Sequence, residues 1–227
     1  MFERSQQKTK VFKDRTDAGK QLAQALSAYD GRSDVVVLGL PRGGVPVAFE
    51  VAKKLRAPLD VFIVRKLGVP GHQELAMGAI ASGGVQVLNR DVTRQLHLRQ
   101  EAIDAVAKKE RQELENREKA YRGERPGIDI QGKIAILVDD GIATGASMRA
   151  AVQGLQKHNP AKIVVAAPVA SQEACRDFEE LADEVVCLET PWSFGGVGAW
   201  YETFSQTTNG EVRNLLERAS AFAAKEN

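Results

Sequence analysis

The sequence is poor in cysteine, in aromatic side chains and in excess charge of either sign, and each shortage excludes a class of protein. Its two cysteines, Cys175 and Cys187, suit a reducing compartment, and Cys187 in EVVCLE is expected to be a core residue. A chain of 227 residues can bury a sufficient core without disulfides. A net charge of +1 gives no electrostatic basis for binding nucleic acid.

Long apolar runs are also missing. No run approaches the roughly 20 residues that span a bilayer, and the start MFERSQQKTK lacks the apolar centre of a secretory signal. We therefore expect a cytoplasmic protein without a membrane partner. The chain contains no G-x-x-x-x-G-K-S/T loop, which excludes a P-loop ATPase. A phosphatase with a nucleophilic Asp would need D-x-D, and Asp139-Asp140-Gly141 does not supply it.

The most informative segment that is present reads IAILVDDGIATGAS, residues 134–147. An apolar run bounded by a turn predicts a strand buried on both faces of a parallel sheet, so Asp139 and Asp140 would emerge at its carboxyl edge, where such sheets bind ligands. The small residues that follow open a helix, whose unpaired N–H groups suit a phosphate, and Thr144 and Ser147 add hydroxyls. The carboxylates repel phosphate, so they need ribose hydroxyls or a hydrated divalent metal. A nucleotide-hydrolase metal strand, or a buried strand capped by acids, is the alternative.

This segment resembles the ribose-phosphate loop of the type I phosphoribosyltransferases, where two acidic residues and a Thr-Gly-x-Ser/Thr turn follow an apolar strand. The resemblance implies that Asp139 and Asp140 contact the 2- and 3-hydroxyls of 5-phosphoribosyl-1-pyrophosphate (PRPP). It also implies that the turn wraps the 5-phosphate, through Gly141, Ala143, Thr144, Gly145, Ala146 and Ser147. Because the family usually has an aliphatic residue at Gly141, we expect this glycine to loosen the turn without removing a ligand.

A second segment, VVVLGLPRGGVPVAFEVAKKL at 35–55, repeats the order of strand, tight turn and helix. Arg42 offers a planar fork for phosphate oxygens, and Gly43 and Gly44 allow either a positive φ or the close approach of a ligand. An ordinary strand-to-helix turn has the same composition. The segment is similar to the pyrophosphate loop of the same family, which assigns pyrophosphate binding to Arg42, Gly43 and Gly44.

The third segment, residues 60–80, predicts an apolar strand that ends in Arg65-Lys66 and runs into a loop punctuated by glycine and proline. Adenine and orotate phosphoribosyltransferases have a similar Arg-Lys pair before a mobile loop that closes over the substrate. By this resemblance Arg65 and Lys66 are catalytic cations that stabilise the departing pyrophosphate. Glu74 or His72 could exchange a proton with the acceptor. A solvated basic pair at a strand end is the alternative.

The alternation of strand and helix patterns predicts an α/β fold, a Rossmann-like parallel sheet flanked by helices with right-handed crossovers. Strands are expected at about 35–40, 60–65, 133–138, 162–167 and 184–188, and helices at 16–28, 44–56, 145–157, 171–181 and 210–224. Residues 77–89 predict an antiparallel hairpin through Ser82-Gly83-Gly84, beside the closing loop. No internal repeat or low-complexity linker appears, so we expect a single domain over residues 1–227.

A helical insertion is predicted at about 91–120. Its sparse apolar stripe suits a helix that projects, packs on a partner, or lies solvated on its own domain. The stripe consists of Val92, Leu96, Ile103, Val106 and Leu114; Arg111 with Glu115, and Glu113 with Arg117, can pair along the surface. His97 is expected to be structural. Small phosphoribosyltransferases commonly dimerise, so the resemblance implies a homodimer in which this helix could take part.

Both tryptophans of this aromatic-poor chain occur in ETPWSFGGVGAWYETF. The family has a hood outside the sheet that recognises the acceptor base, often by stacking, and residues at about 190–205 are assigned to it. The candidate acceptor-binding residues are Trp192, Phe194 and Trp200, with Phe194 preferred because it precedes two glycines. A satellite core under a long loop would have a similar composition.

The resemblance as a whole implies an enzyme in which a nitrogen nucleophile displaces pyrophosphate from C1 of PRPP. Mg²⁺ would be held mainly by PRPP, with Asp139 and Asp140 nearby. Enzymes for 6-oxopurines usually have Asp where this chain has Ala143, which argues against hypoxanthine and guanine and leaves the acceptor open. Two other hypotheses are a PRPP- or nucleotide-binding regulator without turnover, and a structural protein that acts through its charged helix.

Overall fold

The computed structural model describes residues 11–223. The first ten residues, considered above for a secretory signal, and the last residue of the helix expected at 210–224 lie outside this range. The strands are β1 Val35–Gly39, β2 Leu59–Val61, β3 Val64–Val69, β4 His72–Ala81, β5 Val85–Leu88, β6 Ile134–Val138, β7 Lys162–Val169 and β8 Glu184–Glu189. The helices are α1 Arg15–Ala25, α2 Gly44–Leu55, α3 Arg90–Gln95, α4 Gln100–Arg122, α5 Ala146–Gln156, α6 Gln172–Glu179 and α7 Asn209–Ala223.

A five-stranded parallel sheet in the order β2-β1-β6-β7-β8 forms the centre of the fold. Strands β1 and β6 are buried throughout because VVVLG and IAILV contain no polar side chain. Their side chains alternate between two cores: Val35 and Val37 pack with α1, α2 and α7, whereas Val36 and Leu38 pack with α5 and α6. The predicted α/β fold is confirmed.

The predicted strand at 60–65 is wrong in its extent. Strand β2 ends at Val61, and after Phe62 and Ile63 the chain enters β3, the first strand of a separate antiparallel sheet in the order β3-β4-β5. Arg65 and Lys66 therefore lie within this second sheet, not at the end of a strand of the parallel sheet. A continuous apolar run does not reveal where a chain passes from one sheet to another.

The segment after Lys66, predicted to be a loop, is largely regular. Strands β3 and β4 form a hairpin whose turn contains Gly71 at φ +80°. The next hairpin, between β4 and β5, turns at residues 82–84 as predicted, with positive φ at Gly83 and Gly84. A composition rich in glycine and proline is shared by long loops and by hairpins with tight turns, which is why the first of these was misread.

The helical insertion consists of two helices, because α3 and α4 are separated by residues 96–99 and His97 adopts φ +47°. Helix α4 lies on its own domain, with Ile103 and Leu114 buried in the core that also contains α2 and α7. Leu96 stays exposed. Neither surface ion pair expected along α4 is present among the described residues. Its charged side chains instead reach other elements, Glu110 to Arg65 and Arg122 to Asp60.

The two cysteines are neighbours in space although they are distant in sequence. Cys187 on β8 packs against the core beneath α6, which agrees with the core role expected for it, and Cys175 of α6 contacts it. Both thiols are free. Burial raises the pKa of the Cys187 thiol, so this group is a poor nucleophile. Within residues 11–223, no helix is both long and apolar enough to cross a bilayer.

Candidate active site

Two turns meet at the carboxyl edge of the parallel sheet because β1 and β6 are adjacent strands in register. Gly39, the last residue of β1, pairs with Val138, the last residue of β6. The backbone N–H of Leu40 then donates to the carbonyl oxygen of Val138 at 2.9 Å. The turn after β1, residues 40–43, therefore lies directly beside the acidic pair that follows β6.

Gly43 and Gly44 are required for close packing and not for a positive φ, since φ at Gly43 is −63°. A Cβ atom at Gly43 would lie 2.0 Å from Oδ2 of Asp140, and one at Gly44 would lie 2.6 Å from the carbonyl oxygen of Val138. The backbone of this turn thus rests on the acidic pair. The Arg42 side chain is exposed and has no hydrogen-bond or ionic partner among residues 11–223, and the Pro41–Arg42 peptide bond is cis.

The turn after the acidic pair leaves N–H groups open at the start of α5. Gly145 precedes the helix with φ +71°, and a Cβ there would lie 2.8 Å from the Phe178 ring. The exposed residues around it are Ala143, Thr144, Ala146 and Ser147, which are four of the six residues predicted to wrap the phosphate. In the described part of the chain, the backbone N–H groups of residues 143–145 have no acceptor. Unpaired N–H groups at a helix start are what an anion-binding turn needs.

Gly141 has a packing role in the structure, and its expected effect of loosening the turn stays a prediction. It is buried, and a Cβ atom there would lie 2.5 Å from Cγ1 of Val197 and 3.1 Å from Cγ1 of Val169. The space that an aliphatic side chain would occupy is filled by Val197 from the hood-like segment at 190–205, called the C-terminal segment below. Glycine at this position therefore lets that segment pack against the turn.

The acidic pair has a cationic partner that the sequence analysis missed. Asp140 accepts a hydrogen bond through Oδ2 from Nε of Arg15 at 2.7 Å, and both side chains are nearly buried. Oδ1 of Asp139 accepts from the N–H of Asp140 at 2.9 Å, and the Tyr201 hydroxyl donates to the Asp140 carbonyl oxygen at 2.5 Å. Asp14 marks the start of α1 by capping it, but no local pattern indicates that Arg15 reaches this site.

Burial makes ionisation of this pair costly. It raises the pKa of Asp139 well above the ordinary value, and the neighbouring Asp140 carboxylate raises it further, against the opposing effect of Arg15. Burial also raises the pKa of Asp140, where the hydrogen bond from Arg15 opposes the rise. A single guanidinium thus offsets part of the charge of two adjacent carboxylates.

We predict that Asp139→Asn stabilises the protein at pH 7, because burial and the neighbouring Asp140 carboxylate raise the pKa of Asp139 and make its ionised form costly in the folded state. A carboxyl whose pKa is higher in the folded state binds more protons when folded, so the wild type loses stability as the pH rises. The gain should be absent below pH about 4 and should grow as the pH passes through the raised pKa.

Urea unfolding of the two proteins from pH about 3.5, below the ordinary carboxyl pKa, up to pH about 8 measures this difference. Asp129→Asn, at an exposed carboxylate away from the site, is the matched control and should leave the pH dependence unchanged. A variant at Asp139 that is equally stable at every pH would contradict the predicted cost of ionisation.

The predicted catalytic cations lie in different environments. Nε of Arg65 donates to Oε2 of Glu110 on α4 at 2.6 Å, so this guanidinium is held by the helical insertion. Lys66 lines a cavity of about 720 Å³ between the second sheet and α5, together with Thr144 and Ser147. Its Nζ is 3.6 Å from Oε2 of Glu74, whose carboxylate is fully exposed on β4. The structure thus places Lys66, and not Arg65, in the same cavity as the turn predicted to bind phosphate.

Comparison with known proteins shows the family of the chain. A family model described as a phosphoribosyl transferase domain matches residues 10–202. The chain belongs to the type I phosphoribosyltransferase family. The resemblance found in the two turns therefore extends over most of the chain.

Relatives of this chain include two proteins of Mycobacterium tuberculosis, from strains CDC 1551 / Oshkosh and H37Rv, each named "Putative phosphoribosyl transferase". Each is 54% identical over 210 residues, which is 92% of this chain and 47% of the relative. The chain thus spans about half the length of these relatives. The crystal structure of TT1426 from Thermus thermophilus is 44% identical, with a TM-score of 0.82, and the match covers 92% of this chain and 98% of that one.

The aromatic segment at about 190–205 is mostly a satellite core. Trp200 is buried and donates through Nε1 to the Phe194 carbonyl oxygen at 2.8 Å, and Phe194 packs on the cluster formed by Phe12 and Tyr201. Trp192 differs from both, with 95% of its surface exposed. The satellite core left open by the sequence is therefore present, and among the three candidate stacking residues only Trp192 has a freely exposed ring.

Proposed function

We propose that this phosphoribosyltransferase transfers the 5-phosphoribosyl group of PRPP to a nitrogenous, nucleobase-like acceptor and releases pyrophosphate. The observation that carries the proposal is the contact between the Gly43-Gly44 turn and the Asp139-Asp140 pair, beside an open helix start. This contact brings carboxylates that accept hydrogen bonds and two anion-binding turns within reach of one sugar phosphate. Neither turn alone would supply that combination.

Each part of PRPP then has a partner of suitable chemistry. The N–H groups and hydroxyls of residues 143–147 bind the 5-phosphate, which is favoured at a helix start. Asp139 and Asp140 accept hydrogen bonds from the ribose hydroxyls. The pyrophosphate lies over the Gly43-Gly44 turn, where the exposed Arg42 guanidinium can form a bidentate contact.

The residues also suit the transition state of the reaction. Positive charge develops on the ribose ring as the C1–O bond breaks, and the adjacent carboxylates stabilise it, while Arg42 and Lys66 stabilise the negative charge that develops on pyrophosphate. The acceptor nitrogen must lose a proton. Glu74 and His72 lie on β4 with exposed side chains and are the proposed proton acceptors.

The site suits a Mg²⁺ ion whose ligands come mainly from the substrate and less from the protein. No cluster of three or more His, Cys, Asp or Glu side chains suited to a metal occurs within residues 11–223. Arg15 occupies one oxygen of Asp140. Because Mg²⁺ prefers octahedral coordination by oxygen, we propose that PRPP and water supply most of its ligands, with Asp139 and Asp140 nearby. The bound ion would offset the charge of the pyrophosphate.

A PRPP-binding regulator without turnover is the second candidate. The ion pair between Arg65 and Glu110 favours it, since this pair removes one of the cations expected at the leaving group. Such a protein would bind PRPP at the same turns and would release no pyrophosphate. Binding and turnover must therefore be measured separately.

We predict that PRPP with Mg²⁺ raises the melting temperature of the protein by several degrees, because a ligand at about 100 times its Kd contributes about 2.7 kcal/mol. Thermal unfolding with and without PRPP, each with and without Mg²⁺, measures the effect. Pyrophosphate release with a panel of nitrogenous acceptors then tests turnover. No shift at millimolar PRPP would contradict the proposed site, and a shift without pyrophosphate release from any acceptor would favour the regulator.

A further inference from the structure

Arg15 makes three contacts that join the acidic pair to the C-terminal segment. Its Nε donates to Oδ2 of Asp140 at 2.7 Å, and its Nη1 donates to the carbonyl oxygen of Ser205 at 2.6 Å. The guanidinium carbon lies 4.0 Å from the centroid of the Phe204 ring. The Arg15 side chain is only 12% exposed. A cation held in this way on three sides has a defined position.

The backbone around Arg15 is held to the same segment. The N–H of Phe12 donates to the carbonyl oxygen of Trp200 at 2.8 Å, and the N–H of Glu202 donates to the carbonyl oxygen of Phe12 at 2.8 Å. The N–H of Thr203 donates to the carbonyl oxygen of Lys13 at 3.0 Å. Helix α1 begins immediately afterwards. Arg15 therefore sits where the start of the described chain, the hood-like segment and the acidic pair meet.

The contact with Arg15 restricts how Asp140 can act. Oδ2 is taken by the guanidinium, whereas Oδ1 has no donor among the described residues and can accept a hydroxyl. The carboxylate also adjoins Asp139, whose charge would otherwise push it away. Since Phe204 and Ser205 hold the other side of the guanidinium, the orientation of Asp140 depends on the C-terminal segment.

We propose that Arg15 is a positioning residue for ribose recognition, which fixes the Asp140 carboxylate and couples it to Phe204 and Ser205. The proposal rests on the proposed function, because it concerns the binding of PRPP at that site. Arg15 reaches the substrate through Asp140. Its loss should therefore weaken the recognition of PRPP more than it slows the chemical step.

Arg15→Gln should raise the KM for PRPP by about tenfold to a hundredfold, which corresponds to the loss of about one or two charged hydrogen bonds, with a smaller decrease in kcat. Arg15→Lys keeps the charge but lacks the planar fork, so it should restore part of the loss. Lys20→Gln removes the same charge from an exposed position on α1 and should leave KM unchanged. Steady-state kinetics with varied PRPP measure all three.

Phe204→Leu tests the coupling. It should raise the KM for PRPP in the same direction as Arg15→Gln, and the double variant should show less than the sum of the two changes in free energy. If Arg15 only stabilises the fold, the melting temperature will fall in these variants while KM stays at the wild-type value, and the inference is overturned. Additive effects on KM would overturn the coupling to Phe204.

Failure of this inference can be distinguished from failure of the proposed function. If the wild type binds PRPP and Arg15→Gln binds it equally well, only the role of Arg15 is overturned. If the wild type neither binds PRPP nor releases pyrophosphate, the proposed function is overturned and the role of Arg15 falls with it. If Arg15→Gln fails to fold, the KM of Arg15→Lys for PRPP tests the inference instead. A folded Arg15→Lys protein with the wild-type KM also overturns it.

Discussion

Asp140→Asn should lower PRPP-dependent pyrophosphate release by about a hundredfold to a thousandfold, the usual cost of removing a preorganised electrostatic contact from a transition state. Asparagine keeps the size of the side chain and an oxygen that can accept a hydrogen bond. It loses the negative charge that would stabilise the developing charge on ribose, and it leaves Arg15 without its ionic partner. The fold should survive, because burial already makes the ionised carboxylate costly.

Initial rates at saturating acceptor, together with circular dichroism and melting temperature, measure this effect. Asp104→Asn removes one carboxylate from an exposed position on α4 and is the matched control. It should change neither rate nor stability by an appreciable amount. A folded Asp140→Asn protein with wild-type PRPP-dependent activity would show that the acidic pair does not contact the reacting sugar.

Arg122→Ala should destabilise the protein by about 3–5 kcal/mol, the usual cost of leaving one partner of a buried ion pair uncompensated. Nε of Arg122 donates to Oδ1 of Asp60 at 2.7 Å, and its Nη2 donates to the carbonyl oxygen of Val61 at 3.0 Å. Asp60 is only 5% exposed, and its other oxygen accepts from the N–H of Ile128 at 3.1 Å. The substitution therefore removes the hydrogen bonds between the end of α4 and β2, and it leaves the buried Asp60 carboxylate without its ionic partner.

Urea denaturation monitored by circular dichroism measures the change in the free energy of unfolding. Arg117→Ala, at an exposed position of the same helix, is the control and should stay within about 0.5 kcal/mol of the wild type. Asp60→Asn should lose stability in the same direction, and the double variant should be more stable than the sum of the two losses predicts. A loss below about 1 kcal/mol for Arg122→Ala would contradict the importance of this pair.

Four of the five strands of the parallel sheet, all but β2, were predictable because each carries a local signal. Buried strands such as IAILV and VVVLG exclude polar side chains over their whole length, and turns with glycine follow each of them. The five helices predicted outside the insertion agree with the structure to within a few residues at their ends, where assignment is least certain. The antiparallel hairpin through residues 82–84 was recognisable from its glycines for the same reason.

The elements that were misread depend on what lies beside them. The residues at 60–65 contain the end of β2 in one sheet and the start of β3 in the other. No local sequence pattern therefore indicates that β2 ends at Val61. The break between α3 and α4 occurs at His97, which adopts a left-handed conformation without glycine. The ionic partner of Arg65 is Glu110 on α4, which only the packing of the helical insertion against β3 brings near.

The sequence by itself determined the chemistry of the two turns. The acids after an apolar strand, the small residues that open the next helix and the PRGG turn each lie in a contiguous segment, so their place at the carboxyl edge of the sheet follows from strand direction and helix-start geometry. Their roles in binding PRPP come from the family resemblance and stay a prediction. The glycines at 43 and 44 indicate a turn in the sequence, but only the structure shows that they leave room for Asp140 and the carbonyl oxygen of Val138.

Only the tertiary structure decided how the acidic pair is held. Arg15 and Asp140 are 125 positions apart, and Phe204 and Ser205 come from the other end of the chain. No periodicity or motif connects such residues, because their contact arises from sheet order and from pairing between the two ends of the described chain. Ion pairs depend on distance through space, and separation along the sequence carries no information about that distance once the chain has folded.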